Sequence, residues 1–495
     1  MKKTVTLLLA VLLLIGCLVA CQNPSSEGPS TTDPVGGTTD AVTDDGLYHA
    51  DYLPDKGYNG YTIRSMTMRD SPNVSLDIDP DTQNKLYVAR YTAVEQVKDQ
   101  FDFEVEETYK DTWEQTSEAL MLMSSAESDE TDFIMLIHRE VWKYGIRGYL
   151  ADWESLPYCD ETQPWYITDY NDAQRVMGVS VYNYTWAESN LYQTATGVIM
   201  NRSMLEDLQL EDPYDLVDNN EWTIDKMISL MRVATSDLNN DSVINDNDRV
   251  GIAGERDNVY PGLWMGAGFK MVDNDPETGK PYLVADQNER FYDMLDQLSD
   301  LAKERVIYST TTHGTVNYGN DQREGAVQMF KNGVSLFWVH VINSLSKLAD
   351  VEFEYGMVPY PKYDETQEKY ISRNCDVWSP LIVPNTCQHR EEASVFLEAF
   401  AVESVNYVYD AYYREVLQDR YSDEKTKEML DIIRGSVMLD LGDTIWQEYA
   451  RNYVISRIDN GTKDFASCFE QVGFLLNMSI DRDLKFLEEI AAERG

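Results

Sequence analysis

Beyond residue 46 the chain alternates short apolar runs with stretches of helical spacing. Tyr61-Thr62-Ile63-Arg64-Ser65-Met66 follows a turn-like segment from Gly57 to Gly60 and reads as a first strand. Residues 83 to 97 have the spacing of a helix, and a strand follows from Phe101 to Glu107. Thr112 offers an N-cap for a helix reaching Ser124. Phe133-Ile134-Met135-Leu136-Ile137 is apolar throughout, the character of a strand buried on both faces of a parallel sheet. The alternation returns at Thr196 to Asn201, a buried strand followed by a helix start at Ser203. Thr223, just after Trp222, caps a further helix to about Ala234. From Glu391 the pattern is mostly helical, over 391–413, 423–433, 446–457 and 464–475. Strands alternating with helices predict an α/β fold, and no repeat of fixed period is visible.

The first twenty residues stand apart from this pattern. Lys2 and Lys3 precede an apolar run from Val5 to Ala20 that ends Leu18-Val19-Ala20-Cys21. A basic start, an apolar middle and a small residue before the cut describe a secretory signal. The run is shorter than the ~20 residues needed to span a bilayer. The cysteine after the small residue makes it resemble a lipoprotein signal, cut between Ala20 and Cys21 with the Cys21 thiol lipidated. Residues 22–46, rich in Ser, Thr, Pro, Gly and Asp, read as a tether of about 25–30 Å. The expected order is a signal peptide at 1–20, a lipid anchor and linker at 21–46, then a folded part on the outer face of the membrane.

Composition narrows the partners more than the fold. The formal net charge is −45. Such a surface repels nucleic acid and anionic lipid and disfavours polyanionic ligands. Cys17 leaves with the signal and Cys21 takes lipid, so Cys159, Cys375, Cys387 and Cys468 remain. No C-x-x-C pair suggests a zinc or thioredoxin-like site, and no disulfide pairing is legible.

The most specific local signal is Asp237-Leu-Asn239-Asn-Asp241-Ser-Val243-Ile-Asn245-Asp-Asn-Asp248. Oxygen side chains recur at positions 1, 3, 5, 9 and 12, and Val243 at position 7 offers a carbonyl. That spacing resembles an EF-hand loop, which wraps hard oxygen ligands around Ca²⁺. Ser242 replaces the usual glycine at position 6, and Asp248 replaces the glutamate at position 12. The expectation is a structural Ca²⁺ that pins the helix ending near Ala234 to the segment from Arg249 to Gly251.

Several passages in order then resemble the family 1 extracellular solute-binding proteins, the sugar receptors of ABC importers. Thr196-Gly197-Val198-Ile199-Met200-Asn201-Arg202 leads through Pro213 to Glu221-Trp222-Thr223. The Asp237–Asp248 loop precedes Gly251-Ile252, Phe330-Lys331-Asn332-Gly333 precedes Ser335-Leu336-Phe337, and Gly356-Met-Val358-Pro359-Tyr360-Pro361-Lys362 follows. The resemblance implies a type II periplasmic-binding-protein fold, two α/β lobes with a ligand cleft between them. Lobe I would be 47–192 with 376–421, and lobe II 193–375 with 422–495. It also implies a monomer that binds a small carbohydrate, delivers it to importer permease subunits and touches the membrane through its lipid alone.

Sugar sites combine aromatic platforms with polar and charged groups. Position selects His138, Arg139 and Glu140, which follow the buried strand at the place where α/β sheets meet ligand. The resemblance adds Tyr260, Trp264, Trp338, His340 and Trp446, with Tyr192, Asp376 and Trp378 near the expected crossings. Tyr182, Tyr184 and Trp186 form an aromatic cluster beside them. The same fold could instead hold a peptide or polyamine. A lipid-anchored glycoside hydrolase is the remaining alternative, and no G-x-S-x-G, H-E-x-x-H or P-loop motif supports an enzyme.

Overall fold

The computed structural model describes residues 46–69, 75–183, 194–319, 321–375, 379–409, 411 and 424–494. The strand Tyr61–Met68 lies parallel to Phe103–Lys110, in register from Tyr61 opposite Phe103 to Met68 opposite Lys110. On its other side it pairs in parallel with Phe133–Met135, which in turn pairs antiparallel with Leu381–Ile382. Parallel neighbours need crossovers, and the helices Lys85–Phe101 and Trp113–Ala126 supply them. Asn84 and Thr112 cap these helices by accepting hydrogen bonds from the backbone N–H groups of the first turn. Ile63, Val97, Phe133, Phe396 and Phe400 are buried in the core of this first lobe.

The second sheet has five strands, in the order Tyr355–Val358, Thr196–Asn201, Ser335–Val341, Val250–Gly254 and Ile307–Ser309. The last three run parallel, and Thr196–Asn201 runs antiparallel to both its neighbours. Every residue of Thr196–Asn201 is buried, with Val198-Ile199-Met200 as its apolar centre. Thr223 caps Ile224–Ala234 as its position suggests. A Cβ built on Gly262 would stand 2.2 Å from the Tyr360 hydroxyl. Helix propensity favours Ala over Gly by about 1 kcal/mol. Forced overpacking typically costs about 1–3 kcal/mol, so the clash outweighs the propensity. Gly262→Ala should therefore lower the melting temperature, and an unchanged or higher one would contradict this packing.

The chain passes between the lobes where three stretches come together. Cys375 N–H donates to the Thr194 carbonyl at 3.0 Å, Ala195 bridges Asn374, and Ser372–Arg373 pairs in parallel with Val437–Met438.

The start of the described chain lies along the helix Arg390–Glu403. Tyr48 and Asn406 exchange two hydrogen bonds, at 2.9 and 3.0 Å. Tyr52, Trp165 Nε1 and Tyr166 donate to the buried Glu398, and Lys56 and Tyr58 both reach Glu391. Burial pushes the Glu398 carboxyl up to about 7 against these donors.

Three elements depart from the pattern reading. The strand at Phe133 ends at Met135, and Ile137 precedes a helix that begins at His138. The helix expected from residue 446 begins at Arg451, because 441–450 is a run of turns. Buried polar groups hold those turns: Asp440 accepts from Gly442 N–H at 2.7 Å, and Thr444 donates to the Asp440 carbonyl. The final helix spans Phe465–Arg494, far past residue 475. Cys387 and Cys468 are buried thiols outside any disulfide.

Candidate functional site

The lobes meet along a seam, and His138 stands on it. The end of the strand Phe133–Met135 delivers it as first residue of the helix His138–Gly145. Its Nε2 faces the Tyr182 hydroxyl, with the rings edge-on at 5.2 Å. Burial holds its pKa down at about 3, and the Asp443 carboxylate from across the seam opposes this only in part. The folded imidazole is thus neutral where the unfolded one, near 6.5, takes up a proton. The unfolded state then binds more protons, so this contribution is complete above pH 6.5 and is lost as pH falls toward 3. His138→Gln should flatten that part of the stability–pH profile. An unchanged slope between pH 6.5 and 4 would show that His138 is not the group responsible.

The Arg139 guanidinium lies 5.6 Å from the Trp113 ring, and the buried Glu140 pairs with Lys143 at 3.0 Å.

Opposite His138 lies an ion network that the sequence reading did not single out. Asp443 takes Arg373 Nε at 2.6 Å and Arg451 Nη1 at 2.8 Å, all three groups being buried. Arg373 also reaches Asn258 at 3.3 Å. Beneath it Asp440 accepts the N–H groups of Met271 and Val272, and burial pushes its carboxyl up to about 7. These residues come from four distant places in the chain, and no local spacing signals them.

The aromatic candidates divide. Tyr260 is fully buried, and its hydroxyl donates at 2.9 Å to Asp459, which also holds Ser309 and Thr312. Trp264 packs edge-on to Phe291 at 6.1 Å, and Trp338 lies fully buried 5.0 Å from the His340 ring. These three are inside the second lobe's core. His340 stands at the end of its strand, with Nδ1 2.5 Å from Ser344 Oγ and Nε2 4.0 Å from Glu255. Burial, helped by Lys347 and Arg323, lowers its pKa to about 4.

Trp446 lies on the seam, its Nε1 donating to Asp483 at 2.9 Å. It lines a cavity of about 410 Å³ bounded by Lys143, Ile146 and Arg147 of the first lobe and by Tyr449, Arg482 and Phe486 of the second. That volume lies in the range of small-ligand sites. His138 and Trp446 are thus both at the seam. Tyr184, Trp186, Tyr192, Asp376, Trp378 and Cys21 lie outside the described residues.

The Asp237–Asp248 loop has a defined shape. Asp237 accepts from the N–H groups of Asn240 and Ser242, Asn239 from Asp241, and Asp241 from Val243. Ser242 takes φ +68°, the left-handed region that glycine enters at lower cost. Asn245 Oδ1 accepts from Asn247 N–H, and Asp248 accepts from Leu238 and Asn245. Ile244 packs against the cluster of Val250, Ala253, Tyr308 and Met329, and Arg249 Nε donates to the Ala234 carbonyl at 2.6 Å.

Two α/β lobes with a cavity at their junction define the type II periplasmic-binding fold. The chain belongs to the bacterial extracellular solute-binding protein family, whose pattern it matches over residues 92–411. Its fold is similar to that of an ABC substrate-binding protein from Listeria monocytogenes in complex with cycloalternan. The TM-score is 0.55 at 13% identity, over 85% of this chain and 99% of that one. It is also similar to a maltose-binding periplasmic protein of Listeria monocytogenes in complex with maltose, with TM-score 0.54, 13% identity and coverage of 89% and 99%. A maltose/maltodextrin-binding domain from Bdellovibrio bacteriovorus bound to maltotriose gives a TM-score of 0.51 at 13% identity, covering 85% and 100%. No curated protein matches the sequence. Among the described residues no helix is long and apolar enough to cross a membrane.

Proposed function

We propose that this chain is a lipid-anchored extracellular receptor that captures a carbohydrate, an oligosaccharide, between its lobes by hinge closure. It then delivers that cargo to the permease subunits of an ABC importer, and it does no chemistry on it. The observation that carries the reading is the seam cavity, lined by Trp446, Tyr449 and Phe486 and rimmed by Lys143, Arg147 and Arg482. Aromatic faces suit the C–H faces of a sugar, and charged rims suit its hydroxyls. The structures bound to maltose, maltotriose and cycloalternan support the ligand class, since each has this fold. Ligand touching both lobes favours the closed arrangement. Cys21 carries the lipid, and 22–46 forms the tether.

Calcium belongs to the same proposal. Asp237, Asn239, Asp241, Asn245 and Asp248 offer hard oxygens, with the Val243 carbonyl, of the kind Ca²⁺ takes. The ion would brace the helix end at Ala234 against Arg249, a structural role away from the seam. Chelation should lower the melting temperature of the chain, and no change would remove calcium from this reading.

The cargo test is thermal unfolding of residues 47–495 against a panel of neutral, acidic and amino oligosaccharides, with peptides and polyamines as controls. A ligand that binds only the folded state adds RT ln(1 + [L]/Kd) of stability. A saturable rise with a glycan that stays intact is the expected result. A rise only with peptides or polyamines, or cleavage of the glycan, would overturn the proposal.

A further inference from the structure

Two hydrogen bonds cross between the lobes away from both the seam cavity lining and the ion network. Asn274 Nδ2 donates to the Arg175 carbonyl at 2.7 Å, and Met177 N–H donates to the Gly279 carbonyl at 3.2 Å. Asn274 and Gly279 belong to an antiparallel hairpin whose strands are Val272–Asn274 and Pro281–Leu283. Arg175 and Met177 belong to a tight turn of the first lobe, closed by a bridge between Val176 and Val179.

Both partners are shaped for this contact. Met177 and Gly178 take φ of +51° and +80°, and Gly279 takes +66°, so two turn tips face one another. A Cβ on Gly279 would meet the Met177 Cα at 3.4 Å, ordinary contact, and it is the positive φ of Gly279 that a side chain would strain. The hairpin is anchored at its base, where Asp440 accepts the Met271 and Val272 N–H groups. Its far arm is tied by Lys280 to Asp481 at 3.0 Å. The opposing turn is fixed to its own lobe by Arg175, which pairs with Glu161 and with Glu154 at 3.4 Å. Asp481 immediately precedes Arg482 and Asp483, which line the cavity with Trp446. Separating the lobes there breaks both bonds.

We propose that Asn274 is a positioning residue for closure: its amide, with the Gly279 carbonyl, holds the hairpin of the second lobe against the 175–179 turn and stabilises the closed arrangement. It touches no cargo. The inference rests on the receptor reading for the purpose of closure, but closure itself can be measured without any sugar.

The experiment compares the chain with Asn274→Ala and Asn274→Asp, both of which remove the donor, by small-angle X-ray scattering and amide hydrogen exchange. Both variants should have a larger radius of gyration, with exchange at the Met177 amide faster by about tenfold, the effect of losing roughly one hydrogen bond. Protection of the Val272–Leu283 hairpin amides should stay as it is, since a merely structural loss would loosen these too. Asn274→Gln, which keeps a donor, should recover part of the compactness. Unchanged radius and Met177 exchange, or a smaller radius, would overturn the proposal. Loss of hairpin protection would overturn it as well, by showing local unfolding. If the glycan panel fails while these shifts appear, the receptor reading falls and the latch stands.

Discussion

Asp443→Asn should be among the most destabilising single changes available in the second lobe. It leaves the guanidinium groups of Arg373 and Arg451 buried beside a neutral amide, where a charged partner had stood at 2.6 and 2.8 Å. Breaking a buried pair by removing one partner costs about 3–5 kcal/mol, because a buried charge is left uncompensated. That is a large part of the roughly 5–15 kcal/mol that holds a domain together. Guanidinium unfolding followed by fluorescence should move to lower denaturant by a corresponding amount. The informative control changes Arg373, Asp443 and Arg451 together to apolar residues of similar volume. Such swaps of whole buried ion networks are often neutral or stabilising, so the triple variant should be more stable than the single one. If Asp443→Asn unfolds at the native midpoint, the Asp443 carboxylate is not what holds Arg373 and Arg451 in place.

Trp446→Ala should affect both stability and cargo. The indole is nearly fully buried, and replacing a buried Trp by Ala typically costs about 3–5 kcal/mol. It also strips the wall of the seam cavity and frees Asp483 from one of its donors. Trp446→Phe separates the two effects. It keeps an aromatic face and loses only the Nε1 donor, while Arg482 and Ser479 still reach Asp483 at 2.9 and 3.2 Å. The Phe variant should keep most of the glycan-induced rise in melting temperature, and the Ala variant should lose it. Equal ligand-induced shifts in all three proteins would mean that the cargo does not rest on this side chain.

Much of the fold was legible because its elements carry their own signals. The apolar centre Val198-Ile199-Met200 ends at Asn201, whose side chain caps the next helix, so the end of that strand follows from local chemistry. Thr112 and Thr223 marked helix starts through the same backbone N–H demand. The site was less legible. His138 could be chosen from its place after a buried strand, and Trp446 from the resemblance. Tyr260, Trp264 and Trp338 carried the same aromatic signal and pack inside the lobe, because a ring's side of the sheet depends on tertiary context. Arg373, Asp443 and Arg451 had no signal at all, since single charges separated by up to 78 positions meet only through the fold. Glu398 is different: it interrupts the apolar run Val395-Phe396-Leu397-Glu398-Ala399-Phe400, and a lone acid inside such a run marks a buried group in need of donors.

The attachment of residues 48–58 along 391–406 has a mechanical consequence. Tyr48, Tyr52 and the pair Lys56 and Tyr58 fasten at residues 406, 398 and 391, an antiparallel seam about 22 Å long at 1.5 Å per residue. A force applied at residue 48 along that line loads all these points in shear at once, and no single bond yields first. The load then ends in the first lobe, on the helix behind its sheet. The fastening points do not include the Arg175–Asn274 and Met177–Gly279 contacts, so load taken up there is not applied directly to those two bonds.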